Sequence, residues 1–534
     1  MPAEETALIT SLRHEVMIFL TGAAVLALEV MASRILTPYF GVSLFIWAGI
    51  LSITLTFLAV GYYGGSILSK RLSRDNLEFA YLAAPAASAL TIAIGAAAYP
   101  ILFPLLTGAN LVISSFVGSA ILLAFPLVAL SSMNPLLVAL QRPQDDRGDG
   151  GAGRVFFVST IGSVAGVLVT AFVFIPLMRN YTGILFLALG LCALVLVYVA
   201  ASKTLTNRQR ALLGAGTGIA IVLAGALLLG QQRYLDLVSG DPGFEFEIKA
   251  EYTSVFGNIK VIELKPRTLG AQPLIAFLQD GLVQNRALAD GSSISLYTYF
   301  LESIPFAFGT DPTSALVLGL GAGVVPRNLQ ADGLDVTVVE INRDSLTAAQ
   351  RFFHFDPDVI DVQIEDARTF VRRCAKIYDV AVVDLFHGDN TPDYLMTREF
   401  FADLAKCMDQ DSVLVINAFF DSENDAPNQR VRATIAAVFP SLFEFRSPDG
   451  AAYLAATKID LGSPAPLQPA KLPPFMRQNF NAAAANVHRV EAASIRDVAP
   501  ITDDHNVFKV LFSTADRRLR RNLADGLPIQ FLVN

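Results

Sequence analysis

Charge is what this chain has least of. Asp, Glu, Lys and Arg make up 16% of its 534 residues, against roughly 25% in ordinary soluble domains, while hydrophobic residues make up 53%. The shortage is local. From Val16 to Gly230 long apolar runs are broken only by short charged segments, and after Gln231 the charge density becomes ordinary. A domain boundary near residue 232 follows, and the length calls for two or three units. Basic residues are not in excess either: 40 Lys and Arg stand against 48 Asp and Glu, a net charge of −8. A nucleic-acid binder normally needs a basic face, so the balance argues against that class of partner and none is expected. Cysteine is nearly missing. Cys192, Cys374 and Cys407 are spaced too widely for a metal or disulfide framework, and no metal is expected. A cleavable leader is not expected, because the opening MPAEETALITSLRHE is acidic and the apolar stretch after it has no cleavage-like end.

What the first half does have is apolar length. A spanning helix needs about 20 mostly apolar residues, and seven runs qualify, near 16–34, 43–66, 79–103, 109–139, 155–178, 182–201 and 211–230. Prolines 85, 100, 104, 126 and 135 make the third and fourth the least regular. Lys70, Arg71 and Arg74 share one loop, Arg142, Arg147 and Arg154 another, and Lys203, Arg208 and Arg210 a third, whereas the alternate loops hold little beyond Arg34 and Arg179. This bias places the N-terminus and the three basic loops in the cytoplasm. Seven crossings would then leave the C-terminal half outside. We expect the count to be one too many, in an integral protein of the cell (inner) membrane with a cytoplasmic C-terminal half. Glu29, in GAAVLALEVMASRIL, is an acid at membrane depth. Such groups are costly and often functional; the alternative is a structural partner, Arg34 or Ser33.

From Phe244 the pattern changes. FEFEIKAEYTSVFGNIKVIEL and PLIAFLQDGLVQ alternate as strands do. SALVLGLG, DVTVVEIN, DVQIEDAR, YDVAVVDLF and SVLVINAFF then alternate with helix-like segments, which predicts a parallel sheet with helices on both faces. The expected fold is an all-α transmembrane bundle followed by an α/β Rossmann-like domain with a small β-rich lobe before it. Its parts are an extension over 1–14, a membrane domain over 15–232, the lobe over 241–305, the nucleotide-binding domain over 306–460, and a linker and tail over 461–534.

Ligands of such sheets bind at the carboxyl ends of the strands. There the sequence places Gly319-Leu320-Gly321-Ala322-Gly323, then Glu340, then Asp366-Ala367, then Asp384. Glycines let the ligand approach the backbone and the next helix presents free N–H groups. Glu340 can accept both hydroxyls of a ribose. The dinucleotide fingerprint fails at its last glycine, which is Val324. Together these features favour an adenosyl-sulfonium ligand, S-adenosylmethionine or its decarboxylated form.

Residues 245–420 resemble the spermidine synthase family, the polyamine aminopropyltransferases, through FLQDGLVQ, YTYFLESIP, LVLGLGAG, VVEIN, EDARTFV and YDVAVVDLF in the family's order. TGAAVLALEVMASRILTPYFG and ITDDH resemble the subgroup fused to a multi-helix membrane domain. The resemblance implies that Glu340 holds the ribose, that Asp366 and Ala367 contact adenine, and that Asp384 is the catalytic aspartate. Gln284 and Tyr297 stand where acceptor-side residues are expected, and Asp280 also remains. The departures are an alanine at 322 in place of an aspartate, His387 in place of a second acid, Thr298-Tyr299 after Tyr297, and Gly257 near an expected glutamine. His387 is a base for a different acceptor or a polar loop residue. Asp503 and Asp504 replace the lost acids or cap a helix. The arginines at 517, 518, 520 and 521 form a solvated face or touch anionic lipid.

The leading expectation is a transferase moving an aminopropyl or related group from the donor to a small amine acceptor. Its partners would be membrane lipid and the small molecule, with a homo-oligomer implied by the resemblance. A methyltransferase acting on another, membrane-soluble acceptor is the nearest rival. The others are a polyamine-type transporter or sensor, with Glu29 as the substrate contact, and a catalytically dead nucleotide-binding scaffold.

Overall fold

The computed structural model describes residues 2–41, 44–108, 110–141, 151–267, 272–386, 391–421, 424–447, 451–469, 471–513, 515, 520 and 527–533. The chain divides into two compact units, residues 1–240 with 527–534, and residues 241–526.

Seven long helices make up the first unit: Pro2–Phe40, Leu44–Arg71, Arg74–Leu106, Leu111–Gln141, Ala152–Val169, Asn180–Ala201 and Asn207–Leu229. The fifth continues through a π turn, Thr170–Phe174, to Leu177. All seven are long and apolar enough to cross a membrane by length and composition. Small residues set the closest approaches. A β-carbon at Gly162 or Gly166 of the fifth helix would lie 2.1 or 2.2 Å from the carbonyl oxygens of Phe19 and Ala23 on the first. Ser163 donates to the Gly22 carbonyl at 2.9 Å. Such small-residue faces let helix backbones meet where lipid offers no hydrophobic drive. Glu29 is half-buried beside Thr54 of the second helix. The expected bond to Ser33 does not form, because that hydroxyl donates to the Val30 carbonyl of its own helix at 2.7 Å.

A short amphipathic helix, Gln231–Ser239, follows the seventh, and the end of the chain returns to it. The Ile529 N–H donates to Ser239 Oγ and Gln530 Nε2 to Asp236 Oδ1, both at 2.8 Å, with Phe531, Leu532 and Val533 buried. The last residues of the linker and tail over 461–534 thus belong to the first unit.

The second unit opens with the antiparallel lobe, β1 (Phe244–Ser254), β2 (Gly257–Pro266), β3 (Leu274–Gln279) and β4 (Leu282–Leu288), in sequential order. The helix Leu296–Ser303 leads to the main sheet: β5 (Ser314–Leu318), β6 (Asp335–Glu340), β7 (Asp361–Ile364), β8 (Tyr378–Val383), β9 (Met408–Phe419), β10 (Ser441–Arg446), β11 (Ala451–Thr457) and β12 (Val487–Arg489). Its order is β12-β10-β11-β9-β8-β5-β6-β7. Strands β5 to β9 pair in parallel, whereas β10, β11 and β12 pair antiparallel. The sheet is mixed where a parallel one was expected. Period-2 alternation feeds two cores: Leu316, Leu318, Ala381 and Val383 pack on one face, and Ala315, Val317, Val380 and Val382 on the other. The Rossmann unit also runs past 460, because β12 and the helix Arg477–Ala485 pack onto it. The chain winds outward from β5 to β7 and returns at β8, so a crevice opens between the ends of β5 and β8.

Candidate active site

A cavity of about 690 Å³ occupies that crevice. At its base the glycine turn and Asp384 are locked together: the Gly319 N–H donates to the Val339 carbonyl and the Asp384 N–H to the Leu318 carbonyl, each at 2.9 Å. Gly319 has φ +97°, and a β-carbon there would lie 2.2 Å from the Asp384 carbonyl oxygen; only glycine fits. Gly321 also lies in the left-handed region, φ +52°, but nothing is within 4 Å of its would-be β-carbon. That open side faces the cavity Gly321 lines, as backbone approach by a ligand requires. Gly323 is placed differently. It begins the helix Val324–Ala331 and packs against Phe355, off the cavity lining.

Glu340 closes β6 and is held from both oxygens. The Leu320 N–H donates to Oε2 at 3.0 Å and the Asn342 N–H to Oε1 at 2.7 Å. Burial pushes its pKa up against these backbone donors. The Gly321 and Ile341 N–H groups also bond to this carboxyl, which lines the cavity. Asp366 caps the next helix through the Thr369 N–H at 2.8 Å and accepts the Tyr394 hydroxyl at 2.8 Å; Ala367 lies beside it in the wall.

Asp384 ends β8 and lines the cavity. Its Oδ1 accepts from Asn417 Nδ2 at 2.9 Å. Burial pushes the carboxyl up to about 6, with the Asn417 bond acting the other way. Tyr297 and Gln284 line the same cavity, and Asn285 Nδ2 donates to the Tyr297 hydroxyl at 3.1 Å. Among the described residues the lining carboxyls are Glu340, Glu365, Asp366 and Asp384, against one lining cation, Arg286. An acidic cavity with a glycine floor suits a positively charged nucleoside and an amine.

Most sequence-selected residues thus converge, and some do not. His387 lies outside the described residues. Ala322 is buried in the core with Val324 and Phe353, away from the site. Asp280 is a buried turn residue whose Oδ1 accepts the Asn258 N–H at 2.9 Å. Asp503 pairs with Arg368 and its N–H donates to Glu399 Oε2 at 3.0 Å. Neither Asp503 nor Asp504 lines the cavity, so these acids do not replace the lost ones. Sequence reasoning missed Asn417, Tyr394, Tyr453, Phe475 and Asn479. Asn417 had a signal, a lone amide in the apolar strand SVLVINAFF.

Residues 295–445 match the family model described as the spermine/spermidine synthase domain. The chain is 32% identical over 147 residues to a polyamine aminopropyltransferase of Vibrio vulnificus, covering 26% of this chain and 48% of that protein. It is 36% identical over 139 residues to an N-terminal histidine N-methyltransferase of Emericella nidulans, covering 25% of each. The chain therefore spans about half or less of the length of these curated relatives. Among solved structures, a probable spermidine synthase from Corynebacterium glutamicum is 15% identical, with TM-score 0.40, covering 48% of this chain and 97% of that one. Spermidine synthase from Thermotoga maritima is 18% identical, with TM-score 0.34, covering 51% and 88%.

Proposed function

We propose that this chain, which carries a spermine/spermidine synthase domain over residues 295–445, is a membrane-anchored transferase that moves an aminopropyl or related group from an adenosyl-sulfonium donor to an amine. The observation that carries this reading is Asp384, fixed beside Gly319 and sharing one acidic cavity with Glu340. In this reading the ribose binds at Glu340, the adenine lies along Asp366 and Ala367, and the sulfonium sits over the glycine floor at Gly321. An aliphatic ammonium has a pKa near 10 and must lose a proton before it attacks. Asp384 anchors it and takes that proton. The nitrogen lone pair then bonds to the carbon beside sulfur, the C–S bond breaks, and its electron pair leaves with a neutral thioether. In this reading Gln284 and Tyr297, which line the same cavity, orient the acceptor. The donor is a substrate, and the residues described need no metal for these steps. Seven apolar helices support anchoring in lipid.

A second reading, methyl transfer to another acceptor, draws on Ala322: the position where the resemblance expects an acid is buried in the core, so the cavity has one carboxylate fewer for the amine of an aminopropyl donor. Each such charge-assisted contact is worth roughly 1.5–3 kcal/mol. The deciding experiment gives full-length protein in detergent S-adenosylmethionine or its decarboxylated form, with and without putrescine, and identifies the spent nucleotide by mass spectrometry. Amine-dependent methylthioadenosine is the expected product. S-adenosylhomocysteine would establish the second reading instead, and intact donor under all conditions would remove both.

A further inference from the structure

A second cavity, about 440 Å³, lies at the other end of the helix that carries Tyr297. It is lined by Glu302, Ser303 and Phe306, by Asn328 and Asp332, and by the proline-rich stretch around Leu467. It shares no lining residue with the cavity at Asp384. The stretch is tied down there, since the Ala465 N–H donates to the Ala307 carbonyl at 2.7 Å.

Two groups in this cavity, Glu302 and Ser303, lack what a closed core would give them. Glu302 is 9% exposed, and Asn328 Nδ2 donates to its Oε1 at 2.9 Å; no described residue donates to Oε2. Burial pushes this carboxyl up to about 8. The Ser303 hydroxyl is buried without a hydrogen-bond partner among the described residues. Asp332 adds a second carboxyl, also pushed up by burial. A buried polar group without a partner is costly, and a carboxylate next to another acid more so.

We propose that this cavity is a binding site for a primary alkylammonium cation, whose nitrogen sits between Glu302, Ser303 and Asp332 and whose alkyl chain lies on Phe306, Ala307 and Leu467. An ammonium offers three donors, matching the three acceptors. A hard divalent cation wants six or more oxygens, and the apolar walls do not supply them. An anion would meet two acids and one cation, Lys471, which is exposed and makes no ion pair with either acid among the described residues. Its charge favours ionisation of both acids from a distance and competes with an entering ammonium.

The test is calorimetric titration of full-length protein in detergent with n-butylammonium chloride. A site is expected, besides any at Asp384, that survives Asp384→Asn, weakens at least about tenfold in Glu302→Gln, and tightens in Lys471→Ala. Glutamine keeps the Asn328 bond and is neutral like the protonated acid, so the fold should hold. If it does not, Asp332→Asn at its exposed position replaces it, with a weakening of about threefold or more expected. Absence of binding, unchanged affinity in the acid variants, or loss of all binding in Asp384→Asn would overturn the proposal. The last outcome places the amine in the first cavity alone and leaves the transferase reading standing. Conversely, absence of transfer with a butylammonium site that depends on Glu302 would remove the transferase and keep this site.

Discussion

Asp384 is where stability and chemistry oppose each other. Its folded carboxyl holds its proton up to about pH 6, above its ordinary value of 3.8. The folded state therefore binds more protons than the unfolded chain between these values. The stabilisation is full below about pH 4 and is lost as pH rises through about 6. Asp384→Asn should consequently stabilise the protein at pH 7.5 by about 1–2 kcal/mol, after allowance for the group's partial access to the cavity. Thermal melts across pH should show that gain vanish below about pH 4. The same change should lower transfer at least about 100-fold, and wild-type kcat/KM should fall about tenfold per pH unit below 6. A melt unchanged at pH 7.5 would mean the carboxylate is not strained by burial. The glycines give a paired prediction. Gly319→Ala puts a methyl against the Asp384 carbonyl and should cost folded protein outright. Gly321→Ala meets open space, so the fold should survive with a loss of only about 1 kcal/mol. Donor affinity, read by calorimetry, should nevertheless fall at least tenfold.

At the scale of elements, local pattern was enough where one strand end carries the chemistry. Gly319, Glu340, Asp366 and Asp384 were legible because each follows an apolar strand, and strand ends face the crevice whatever the helices do. Tyr453 and Asn479 were not legible, because their approach depends on β11 and the helix Arg477–Ala485 packing back from later in the chain. The three-residue β12 was missed for the same reason: its pairing with Phe443 to Phe445 creates it, not its own propensity. In the membrane unit the lengths of the apolar runs were readable, but not which faces meet. Gly162 and Gly166 show the difference. Valine at either would push a β-branched side chain into a backbone carbonyl of the first helix, whereas Gly190 of the sixth has nothing within 4 Å. Gly162→Val or Gly166→Val should lower the melting temperature in detergent by several degrees, and Gly190→Val should leave it within about one degree. Equal effects would mean the first and fifth helices are not held by this contact.

For the whole molecule the open matter is parity. Seven helices can cross, and the loops holding Lys70, Arg147 and Lys203 belong on the cytoplasmic side by their charge. Between Lys70 and the second unit lie five of those helices, so five true crossings would put the nucleotide-binding unit outside. An adenosyl-sulfonium donor is a charged nucleoside that does not diffuse through hydrocarbon, and a transferase that consumes it belongs where it is made. The transferase proposal therefore predicts that one of the five does not cross. Single cysteines at exposed Ser73 and Ser463 would report the two sides, in a chain with Cys374 changed to serine; Cys192 and Cys407 are buried. An impermeant maleimide applied to intact cells should label neither, and both should react after permeabilisation. Labelling at Ser463→Cys alone would mean that an odd number of the five cross. The second unit would then need a donor delivered across the membrane, and the first unit, with Glu29 beside Thr54, would become the first place to look for its route.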